Sequence, residues 1–167
     1  MLVAQRIPKL INGVINVEGN FTLNDGFWCA KISTTALGDW TQQYRVMEAD
    51  PEGLLARGSI AFSDQRLAWA RTILSNQNAA TVHSMARSVI QETGMPAYCD
   101  LVCTVVRETQ IYLLAGERSA SEWDVPDFVR KAARDSLVIP GTGHMMMLEE
   151  PAGFCRSVEA LIKSTTG

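Results

Sequence analysis

Three short apolar runs, unevenly spaced along the chain, set the strongest limit on the fold. They cover 13–18 (Gly-Val-Ile-Asn-Val-Glu), 110–115 (Gln-Ile-Tyr-Leu-Leu-Ala, closed by Gly116) and 136–140 (Ser-Leu-Val-Ile-Pro, closed by Gly141). The second and third read almost continuously apolar, as strands do when helices cover both faces of their sheet. Strands that alternate with helices predict a parallel sheet built by right-handed crossovers.

The segments between the runs read helical. Asn24 or Asp25 can cap a helix carrying Phe27, Trp28, Ile32 and Leu37. Trp40, Tyr44 and Met47 recur at helical spacing, and so do Leu67, Ala70, Arg71 and Leu74. Ala79, Val82, Met85, Ala86, Val89 and Ile90 form a stripe that Gly94-Met95-Pro96 ends. Tyr98, Leu101, Val102 and Val105 form the next. Between the last two runs a helix passes through Phe128 and Val129 to Arg134. Pro151 opens a final helix with Phe154, Val158, Leu161 and Ile162 on one face. The expectation is an α/β fold of three parallel strands with flanking helices. Residues 1–20 and 108–167 form the sheet part, and 21–107 a large helical insertion.

Such a sheet has two edges, and the first run has nothing strand-like upstream. Leu2, Val3 and Ile7 share one face of a helix-like stretch that Pro8 ends. An uncovered edge strand templates pairing with another chain. The expectation is a partner for that edge, either a second copy in a homo-oligomer or an upstream segment.

Composition narrows the function classes. At 167 residues and 47% hydrophobic, the chain can bury a core. Its net charge of −3 comes without a basic run, so nucleic acid is not an expected partner. No apolar stretch approaches the roughly 20 residues that span a bilayer, and no secretory leader pattern is visible. The four cysteines, Cys29, Cys99, Cys103 and Cys155, are scattered, and the only histidines are His83 and His144. Neither a zinc site nor a cofactor is expected, and the setting expected is reduced and cytoplasmic.

The segment richest in chemistry is 139–151, Ile-Pro-Gly-Thr-Gly-His-Met-Met-Met-Leu-Glu-Glu-Pro. A strand runs into a turn eased by Gly141 and Gly143, then His144, then an apolar cluster and a helix start. A general base has to project from such a loop at the carboxyl edge of a sheet. His83, on the Val82-Met85-Ala86 helix, reads as structural.

This stretch resembles the histidine loop of the α/β-hydrolases. Residues 112–118 (Tyr-Leu-Leu-Ala-Gly-Glu-Arg) resemble that family's penultimate strand and turn, and 10–20 the strand after its nucleophile helix. The resemblance covers essentially the whole chain, as the C-terminal half of the fold. It implies that the runs are the sixth to eighth strands, that the helical insertion is the cap, and that His144 is the general base. The chain departs from the family at two points. No Gly-x-Ser-x-Gly elbow occurs, so the resemblance puts the nucleophile, the oxyanion hole and five strands before Met1. The common position of the triad acid, three residues after Gly116, holds Ser119. Some members place the acid at the end of the sixth strand, where this chain has Glu18. Asp124, further along the loop after the seventh strand, is the alternative.

The activity implied is hydrolysis of a small apolar ester or related substrate, of esterase, haloperoxidase, dehalogenase or epoxide hydrolase type. The missing nucleophile leaves this chain inactive alone. Phe21, Trp28, Trp40 and Met145 are the candidate substrate-binding residues under the cap, with plain packing as the other reading of each. The alternative function is a non-catalytic half-fold that oligomerises through its open sheet edge.

Overall fold

The computed structural model describes residues 1–165 and is a mixed α/β structure. Its strands are β1 (Gly13–Val17), β2 (Gln110–Gly116) and β3 (Asp135–Ile139), in spatial order β1-β2-β3 with both pairings parallel. Val17 stands opposite Leu114, and Gly116 opposite Ile139, so the three carboxyl ends lie together. The helices are α1 (Leu2–Arg6), α2 (Phe27–Thr34), α3 (Leu37–Glu48), α4 (Pro51–Arg57), α5 (Asp64–Ser75), α6 (Ala79–Thr93), α7 (Pro96–Glu108), α8 (Asp127–Ala132), α9 (Met146–Glu149) and α10 (Pro151–Thr165). They group into two compact units. Met1–Asp25 joins the chain from Thr93 onward in one unit, and Gly26–Glu92 forms the other.

The continuously apolar sequence of β2 follows from its central place. Side chains alternate across a strand, so Ile111, Leu113 and Ala115 face one layer and Tyr112 and Leu114 the other. The first layer adds Ala4 of α1, Tyr98, Val102 and Val105 of α7, and Val129 of α8. The second adds Ile139, Met146 of α9 and Leu161 of α10. Every residue from Ile111 to Gly116 is buried, whereas β1 is half-buried throughout and β3 is mostly exposed. α7 therefore packs in the sheet unit and not in the helical insertion expected over 21–107.

The helical unit buries Ile32, Trp40, Tyr44 and Ala86 together. The first helix expected there breaks at Thr34, and Leu37 opens α3 instead. At the amino terminus the expected face is reversed: Ala4 is buried, while Val3 and Ile7 are exposed. α4, which had no clear apolar stripe, is set by its ends. Pro51 occupies the first turn, and the Asp50 carboxylate accepts from Gly53 N at 2.8 Å.

Candidate functional site

The site is built where the three strands end. β1 stops at Val17, and Glu18 takes a left-handed φ of 43°, a costly geometry for a residue with a Cβ. Asn16 Oδ1 closes the turn by accepting from Gly19 N at 2.6 Å. β2 stops at Gly116. A Cβ there would lie 2.4 Å from the Gly143 carbonyl oxygen, so only glycine lets the histidine loop cross this strand end. β3 stops at Ile139, and Gly141, at φ 71°, turns the chain towards His144.

The turn places the Glu18 side chain inward, 3% exposed, with both carboxylate oxygens engaged. Oε1 accepts from Gly116 N at 2.9 Å and from Ser119 Oγ at 2.6 Å. Oε2 stands 2.7 Å from His144 Nδ1. Burial alone would raise the Glu18 pKa. The hydrogen bonds from His144, Ser119 and the Gly116 amide, with the imidazolium charge, outweigh it and hold the carboxyl below its ordinary range. An ionised carboxylate can only accept, so Nδ1 carries the proton and Nε2 of the neutral ring is the basic nitrogen.

His144 has its side chain 67% exposed. Its hydrogen bond to Glu18 raises its pKa, burial of part of the ring works against that, and the charges of Glu18 and Asp25 add to the rise. Among the described residues no Ser, Thr or Cys side chain is hydrogen-bonded to His144. The ring therefore has one nitrogen tied to an acid and the other unpartnered within the described chain. That arrangement suits a proton acceptor.

Of the two carboxylates that the sequence offers to His144, only Glu18 lies within hydrogen-bond reach. Asp124 Oδ2 accepts from Thr22 Oγ1 at 2.6 Å and Asn24 Nδ2 at 2.7 Å. Those two bonds, with the charge of Arg130, hold its pKa below the ordinary value against a small burial effect. The Asp124 amide donates to Asp25 Oδ1 at 2.9 Å, and Asp25 Oδ2 is buried with no partner among the described residues.

The candidate substrate-binding residues divide between the units. Phe21 is 3% exposed in the sheet core, stacked on Trp123 at 5.8 Å. Met145 is half-buried, directly after His144, at the start of α9. Trp28 and Trp40 meet edge to face at 6.0 Å in the helical unit, where they line a small depression with Lys31 and Met47. Trp28 is half exposed, and Trp40 is buried with its Nε1 donating to Ala79 O.

Several residues that build the site do not stand out in the sequence. Ser119 and the Gly116 amide hold Glu18. Glu117 accepts from Gly141 N at 2.8 Å, and Arg118 and Glu149 hold the same loop. The nearest sequence signal is the Glu-Arg pair that follows Gly116. Trp123, buried beneath the turn, donates to Gly19 O at 3.1 Å.

Among the described residues no group of three or more His, Cys, Asp or Glu side chains could hold a metal ion, and no helix is long and apolar enough to cross a membrane. All four cysteines are free thiols. Comparison of the sequence with family models and with curated proteins finds no match.

Proposed function

We propose that His144 and Glu18 are the general base and its orienting acid in a hydrolase of the α/β-hydrolase type, acting on a small apolar ester or related substrate. The observation that carries this reading is the 2.7 Å contact between Nδ1 and a buried, ionised carboxylate at the carboxyl ends of parallel strands, on a mostly exposed imidazole. Ligands of open α/β sheets bind outside those ends. Glu18 fixes the tautomer and stabilises the imidazolium that forms when Nε2 takes a proton. The nucleophile comes from a segment or subunit outside these residues, and the helical unit serves as the cap. The chain by itself then has no covalent route. The test is turnover of a short-chain p-nitrophenyl ester by the purified chain, compared with His144→Ala. Robust turnover that depends on His144 would show that the nucleophile is already present.

A second reading has its own observation. Among the described residues β1 is paired on one side only, and Val3 and Leu10, just before it, are 61% and 77% exposed. On this reading the chain is a non-catalytic module whose copies associate through that edge. Light scattering across a concentration series separates the two: a monomer at all concentrations rules out the module.

A further inference from the structure

The loop that carries His144 contains two glycines; Pro140 and the Thr142 hydroxyl, which donates to Ile139 O at 2.9 Å, hold its start, and the glycines leave the rest free to move unless other groups hold it. Besides Glu117, which accepts from Gly141 N, two charged side chains that lie 31 residues apart grip it from both sides. Arg118 Nη2 stands 2.6 Å from Glu149 Oε2, and Arg118 Nη1 donates to the Gly141 carbonyl. Glu149 Oε1 accepts from Gly143 N at 2.7 Å, and the Arg118 amide donates to Thr142 O at 2.9 Å. One guanidinium and one carboxylate thus engage both glycines that precede the histidine. The guanidinium also lies close to Gly143, where a Cβ would be 3.2 Å from Nη2.

The Glu149 side chain is 9% exposed and that of Arg118 42%. An ion pair this open at one end contributes little to stability by itself. Its use is geometric. A planar fork can hold a carbonyl and a carboxylate at once, which an ammonium on a flexible stem cannot do in a fixed direction. We propose that Arg118 and Glu149 are positioning residues that set the His144 loop so that the imidazole meets Glu18. The functional weight of this rests on the reading of His144 and Glu18 as base and acid, but its test needs no turnover.

The charged groups facing the imidazole are Glu18, from the end of β1, and Asp25, from the turn before α2. Glu117, Arg118 and Glu149 are bonded to the backbone of its loop. Two roles for Arg118 predict opposite signs. If it acted only through its charge, its removal would take a cation away and raise the imidazole pKa further. If it positions the loop, its removal loosens the bond to Glu18, and the pKa falls towards the ordinary histidine value.

The experiment is an NMR titration of the His144 ring in the full chain, in a His83→Gln background that leaves one histidine. Arg118→Met is expected to lower the pKa and to lose the slowly exchanging Nδ1 proton. Arg118→Lys, which keeps the charge and loses the fork, is expected to shift it the same way by less. Lys163→Met, which breaks the 2.7 Å surface pair with Glu159 on α10, is expected to leave it unmoved. An unchanged or raised pKa in Arg118→Met overturns the proposal, as does an equal shift in Lys163→Met. If Arg118→Met does not fold, Arg118→Lys decides: a fall supports the proposal and an unmoved value overturns it. Robust ester turnover, which would overturn the missing nucleophile, leaves this inference standing, and an unmoved titration sinks it whatever the assay reads.

Discussion

The strand ends of the sheet unit and the aromatic corner of the helical unit both bury polar atoms, and they satisfy them differently. At the strand ends Glu18 draws donors from Gly116, Ser119 and His144, positions 98, 101 and 126 away in the chain. In the helical unit Trp40 Nε1 donates to Ala79 O at 2.8 Å and the Tyr44 hydroxyl to Leu74 O at 2.9 Å. Those acceptors are backbone carbonyls, which do not titrate. The aromatic corner is a packing joint with its polar tips tied off. The strand ends hold a buried charge against an exposed ring whose charge can change. Burial of polar groups marks both regions. What separates them is whether the partner can gain or lose a proton.

The largest effect is expected where packing alone is at stake. Trp40→Ala removes a buried ring, its contacts with Trp28 and Tyr44, and the donor to Ala79. The expected cost is about 3–5 kcal/mol, read from urea unfolding, with no change of that cost between pH 5 and pH 8. A strongly pH-dependent cost would erase the distinction between the regions.

Glu18→Ala comes next. It leaves the buried Gly116 N–H without an acceptor, for an expected loss of about 1–3 kcal/mol. Here the cost must depend on pH. Glu18 has a lowered folded pKa, so its contribution is present above its ordinary value of 4.5 and fades as pH falls through the depressed one. His144 has a raised pKa, so its contribution is full below its ordinary value of 6.5 and is lost as pH rises through the folded one. The pair therefore contributes most between those two ordinary values. The stability gap between the wild type and Glu18→Gln should peak in that window and shrink at higher pH. A flat gap from pH 5 to pH 9 would mean that His144 takes no part.

The contrast explains what could be read from sequence. β2 was legible because its burial on both faces from Ile111 onward leaves Gln110, at its half-buried start, as the one strongly polar side chain to blur the pattern. The histidine loop was legible because strand ends and glycines are local signals, whereas Glu18 was offered only by the family resemblance, with Asp124 beside it, since an acid after an apolar run does not by itself say what it faces. Ser119 was visible only as the residue filling a common acid position. Its hydroxyl donating to Glu18 depends on a register between β1 and β2 that spans the whole helical insertion. The grip of Arg118 and Glu149 was hidden because it joins the turn after β2 to α9, 31 residues on, across the pairing of β2 with β3. The amino-terminal face was misread because Val3 and Ile7 have the same spacing whether they point inward or out.

Ser119→Ala sharpens the comparison with a smaller effect. It removes one donor from Glu18 and leaves two, for an expected cost of about 1 kcal/mol. The Glu18 carboxyl should titrate higher than in the wild type, measurable by carbon-detected NMR. An unmoved carboxyl would show that the serine follows the site rather than building it.

Asp124→Asn is the finest cut, because it sets one carboxylate of the sheet unit against another. Asp124 accepts from two side chains on the turn after β1, all of them near solvent, so an amide of the same shape keeps most of that geometry. The expected cost is at most about 0.5–1 kcal/mol. His144 should titrate as in the wild type, since Glu18 alone supplies its hydrogen bond. If Asp124→Asn lowers the imidazole pKa as far as Glu18→Gln does, the two acids act on the ring together. The separation between a carboxylate that orients the base and one that pins the neighbouring turn would then fail.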